Sequence, residues 1–97
     1  MSEDKLQEAI GRAARAQRLV DDALLAEAFD TLDHDYVKAW RESHARDTDA
    51  RERLWQAVQI VAKVRSHLST VVNHGKLAQR ELDDLAARER RRLFGVV

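Results

Sequence analysis

Leu6, Ile10, Ala13, Gln17 and Val20 recur at steps of four and three, the spacing that lines one side of an α-helix. Ser2 stands ahead of them as an N-cap, with Glu3 and Asp4 in the first turn, where the helix dipole favours acids. The pattern predicts a first helix over about 3–20, with Arg12, Arg15 and Arg18 on its exposed arc. After Asp21-Asp22, a pair suited to ending one helix and capping the next, the phase changes. Leu25, Phe29, Leu32, Tyr36 and Trp40 then step by 4, 3, 4 and 4, and Leu24, Ala28 and Val37 widen the stripe. That predicts a second, core-facing helix over about 22–44.

Ser43-His44-Ala45-Arg46-Asp47-Thr48 interrupts the pattern as a loop, with Thr48 as the expected N-cap of the next helix. This third helix is predicted over 49–73, with Leu54, Val58, Val61, Arg65, Leu68 and Val72 on one seam. Trp55, Ile60, Val64 and Val71 spread its apolar surface over more than one face, which is the signature of two neighbours. Asn73-His74-Gly75 reads as a C-terminal stop. Beyond it a shorter fourth helix is predicted over about 76–93, carrying Leu77, Leu82, Leu85 and Leu93.

A short loop between two long helices makes them antiparallel neighbours. Folding the chain about residues 47–48 pairs positions whose numbers sum to about 95, so Trp40 faces Trp55 and Val37 faces Val58. The expected core of this hairpin is Phe29, Leu32, Tyr36, Trp40, Leu54, Trp55, Val58 and Val61. The fold class is therefore all-α: one domain over 1–97, a long antiparallel helical hairpin flanked by two shorter helices.

Composition agrees with this and sharpens it. Proline and cysteine are absent, glycine occurs three times, and charged residues make up 35% of the chain. Helix formers dominate, and the scarcity of aromatic and β-branched residues argues against a sheet. With no cysteine there are no disulfides, thiolate metal sites or cysteine nucleophiles. A 97-residue chain has a thin core of its own, and self-association is the remaining way to thicken it. A homo-oligomer is expected. No apolar run approaches a membrane span, and the acidic start, Ser2-Glu3-Asp4, has no signal-peptide character. The expected location is the cytoplasm, that of the host if the chain is phage-encoded.

Net charge is zero but unevenly spread. Residues 1–47 hold seven bases and eleven acids, and residues 48–97 hold ten and six. Asp30, Asp33 and Asp35 belong to a run of six acids without a base, a candidate acidic interaction face. Arg88, Arg91 and Arg92, with Arg80 two turns earlier, form a candidate contact for a partner or for nucleic acid. Such a cluster binds phosphates without reading sequence. Catalytic patterns are missing. His34 beside Asp33 and Asp35 reads as a polar helix face rather than a metal site, and His-Glu-x-x-His, Walker and dinucleotide motifs do not occur. No catalytic residue, cofactor or metal is expected.

Two resemblances bear on function. Arg46-Asp47-Thr48-Asp49-Ala50-Arg51-Glu52-Arg53 is similar to a loop-and-helix segment of the small all-α chorismate mutases. Those enzymes hold a dianionic substrate with arginines and a lysine. Here the corresponding lysine-bearing segment is the acidic run from Asp21 to Asp35, which would repel it, so an enzyme of that type is the remotest reading. Ala39-Trp40, the stretch from Ala45 to Trp55, Lys63-Val64-Arg65 and Gly75-Lys76-Leu77-Ala78 together resemble short helical proteins of tailed phages and prophages. The likeness spans roughly residues 18–85. It implies a non-catalytic role in virion assembly or DNA packaging, beside other assembly proteins. Small terminase subunits, whose helical hairpins form rings, are of this kind, although this chain lacks the N-terminal helix-turn-helix that many of them carry. The alternative is a host-directed binding or inhibitor protein using the acidic helix face.

Overall fold

The computed structural model describes residues 2–95. It contains three helices, α1 (Glu3–Asp21), α2 (Ala23–Glu42) and α3 (Thr48–Phe94), and no strand among the described residues. No helix among them is long and apolar enough to cross a membrane.

Each helix start has a local cause. The Lys5 N–H donates to Ser2 Oγ at 3.3 Å, and the Leu25 N–H donates to Asp22 Oδ1 at 2.9 Å. Both side chains satisfy an amide that has no partner within its helix. At α3 the cap is Asp47 rather than Thr48. The Ala50 N–H donates to Asp47 Oδ1 at 3.3 Å, and Thr48 is already the first helical residue. A carboxylate one position earlier takes the role expected of the hydroxyl.

The stop expected at Asn73-His74-Gly75 does not occur: α3 runs through it, and there is no separate helix over 76–93. Gly75 is helical and buried. The described residue with positive φ is Gly95, at 62°, just past the true helix end at Phe94. Gly75 is present for a different reason. A Cβ there would overlap the Ala13 side chain and lie 3.2 Å from the Ala9 carbonyl oxygen. The missing side chain lets α1 approach the α3 backbone.

The chain forms two compact units. One joins α1, up to Arg18, to the part of α3 from Ser69 onward. Its core is Leu6, Ala16, Ala78 and Gly75, with Leu6 only 1% exposed. Burying that leucine is worth about 1.5–3 kcal/mol. The second unit is Leu19–Leu68. Val61 is its one buried apolar residue among those described, and α2 contributes none. Phe29, Tyr36, Leu54 and Val58 are half-buried, whereas Leu32, Trp40 and Trp55 of the expected core are exposed. The half-buried stripe of α2 runs through Leu25, Ala26, Phe29, Asp33, Tyr36 and Val37. It is turned toward Val37 and leaves Leu32 on its flank.

Candidate interaction surfaces

The loop end of the second unit is organised by Arg51, a residue that the periodic pattern does not single out. Its guanidinium lies 4.5 Å from the centroid of the Trp40 ring, within cation–π range. The same group donates to the Trp40 carbonyl at 3.2 Å, to Ser43 Oγ at 2.9 Å and to the Ser43 carbonyl at 3.4 Å. Ser43 Oγ in turn donates to the Trp40 carbonyl at 2.6 Å. One cation thus gathers the carbonyls left open at the end of α2, where the helix dipole is negative. Beside it, Val37, Trp40, Trp55 and Val58 line a small apolar groove.

Farther along, Arg65 reaches across to α2. Its Nη2 lies 2.9 Å from Asp30 Oδ1, and its guanidinium is 5.3 Å from the centroid of the Phe29 ring. Arg65 sits on the predicted apolar seam, and its charged head finds a carboxylate across it. The pair is largely exposed, so it is worth at most about 1 kcal/mol.

This contact changes the candidate acidic face. Asp30 is engaged by Arg65. Asp33 is half-buried, and Asp35 is exposed. At about 100° per residue, Asp35 points about 140° around α2 from Asp30, so the three acids do not share one face. Asp30 and Asp33 line an open depression with His34, Val37, Lys38 and Arg41, and the two bases dilute its charge. Among the described residues, no three histidine or acidic side chains come together to hold a metal ion.

At the basic end, Arg80, Arg88, Arg91 and Arg92 are all exposed. Arg92 is held by Glu89 at 2.6 Å. Helical phase places Arg80, Asp84, Arg88 and Arg91 along one stripe, so an acid interrupts it. In the same unit Leu6, Ala9, His74, Leu77, Ala78 and Glu81 line a depression of mixed character.

Exposed apolar side chains concentrate in the second unit. Leu24 is 74% exposed, Ile60 61%, Trp55 58%, Val64 46% and Leu32 42%. No protein-family model matches the chain, and neither a curated protein nor a solved structure is significantly similar to it.

Proposed function

We propose that this protein is a non-catalytic helical assembly protein that works by associating with itself, as the likeness to short phage and prophage proteins implies. The observation that carries the reading is the thinness of the second unit. It buries Val61 alone among its described apolar residues while exposing Leu24, Leu32, Ile60 and Val64. Soluble monomers rarely leave such apolar surface contiguous unless a partner covers it. Within that unit, α2 and the first half of α3 form an antiparallel hairpin. Supporting it are the Asp30–Arg65 pair, the Phe29–Arg65 and Trp40–Arg51 stackings, and the shared groove of Val37, Trp40, Trp55 and Val58. Asp30 with Arg65, Val37 with Val58 and Trp40 with Trp55 each have numbers that sum to 95.

A host-directed inhibitor acting through an acidic face has less support. Arg65 neutralises Asp30, and Lys38 and Arg41 stand beside it. For the assembly reading, light scattering at micromolar concentration should give a mass at least twice 11.1 kDa. A monomer at about 100 μM, where a dimer with a dissociation constant of about 10 μM would hold about four-fifths of the chains, overturns it. Genes for head or packaging proteins beside the coding sequence are the expected genomic setting.

A further inference from the structure

We infer that one flank of the α2–α3 hairpin is the surface on which a second copy of this chain docks, with α2 of each copy lying over α3 of the other. The inference rests on the self-association and hairpin reading above. It adds which face is used, in which orientation, and why.

Helical phase carries the first step. Along α2, Leu24, Ala28, Leu32 and Ala39 lie on one flank of the half-buried stripe. Along α3, Ala57, Ile60 and Val64 lie on one flank of the seam that holds Val61 and Arg65. In an antiparallel pair with numbers summing to 95, these two flanks fall on the same side. Leu32 stands level with Ile60 and Val64. Leu24, Leu32, Ile60 and Val64 are the exposed large apolar residues of this surface.

Charge selects the occupant. The outer side of this face on α2 carries Glu27, Asp35 and Glu42, all exposed, with Asp35 in phase between Ala28 and Leu24. On α3 the corresponding side carries Arg53, Lys63 and His67, also exposed, with the exposed Asp49 at its loop end and Arg53 in phase between Ile60 and Val64. Acids outnumber bases on the α2 edge and bases outnumber acids on the α3 edge, so the face is complementary to itself in net charge. A two-fold axis parallel to the helices lays α2 of one copy over α3 of the other. At unchanged level Glu42 then meets Arg53, Asp35 comes within a turn of Lys63, and Glu27 lies beside His67. Lys38, the base on the α2 edge, falls level with Ala57. A two-fold axis across the helices would instead stack α2 on α2 and set the acids against their own copies, which is unfavourable. The geometry therefore points to a symmetric four-helix bundle with an apolar centre and a charged rim.

Two double variants and their mixture test this. Asp35→Arg with Glu42→Arg, and Arg53→Glu with Lys63→Glu, should each weaken the dimer about tenfold at low salt, since exposed pairs are individually weak. Mixed in equal amounts, the two variants should form a heterodimer of wild-type affinity, because each interface again matches acid to base. A charge defect within one chain would not be repaired by mixing, so failure to recover overturns the orientation. Ile60→Asp with Leu24→Asp should give a monomer whose helical circular dichroism matches that of the wild type. A dimer that survives this pair overturns the face while leaving self-association standing. A monomeric wild type overturns both.

Discussion

A Cβ on Gly75 would overlap Ala13, whereas one on Gly11 would meet nothing within 4 Å. Both residues are helical, so both carry the entropic cost of glycine in a helix. Only at Gly75 is that cost offset, by close approach of α1. Gly11→Ala should therefore raise stability by about 0.5–1 kcal/mol. Gly75→Ala should lower it by about 1–3 kcal/mol through overpacking. Urea melts of the two variants check this, and shifts of the same sign would show that α1 does not press on α3 there. Ser2 and Asp22 could be read as caps directly, because a cap depends on a few adjacent residues. Gly75 could not. Asn-His-Gly has the chemistry of a helix end, and only the small residues Ala9 and Ala13, far away in the chain, hinted at a close helix crossing.

Within α2 and α3 the two tryptophans differ in a way that periodicity does not reveal. Trp40 is 39% exposed and stacked on by Arg51, while Trp55 is 58% exposed. Removing a fully buried tryptophan costs about 3–5 kcal/mol. Trp40→Ala should cost less, about 1–3 kcal/mol, since it loses the stacking as well as part of its packing. Trp55→Ala should cost below about 1 kcal/mol, in keeping with a surface position. Denaturant titration of both variants separates them, and a larger loss at Trp55 would place that ring in the core. The element boundaries near residues 21–23 and 43–47 were legible from phase changes and capping residues. The continuity of α3 was not, because helix-stop signals are weak where tertiary contacts favour continuing.

At the scale of the whole molecule, charge asymmetry invites pairing of the basic end with the acids of a neighbour. Asp30, however, is already taken up by Arg65, and Arg92 by Glu89. Charge reversal at Arg91 and Arg92 should therefore leave the oligomer mass unchanged. The same variant should lose whatever weak retention of duplex DNA the protein has at low salt. For the wild type, affinity should fall between about 50 and 200 mM salt with a log–log slope no steeper than about −3, as expected for contact with at most three or four phosphates. A change in mass on reversal would reinstate the basic end as an oligomer contact. A slope near −6 would mean that more of the chain touches DNA.

Helix content, the caps of the first two helices and the positions of the charged edges are set by the sequence alone, because each depends on residues within a turn or two of one another. The tertiary structure decided that Gly75 is a contact rather than a stop, and that Arg51 and Arg65 reach across to α2. It also decided that Leu32, Trp40 and Trp55 remain exposed while Val61 is buried. Those outcomes depend on how far one helix is rotated and how closely it approaches another. That is set by the fit of side chains distant in the chain, and a periodic pattern broad enough to fit several rotations leaves it open.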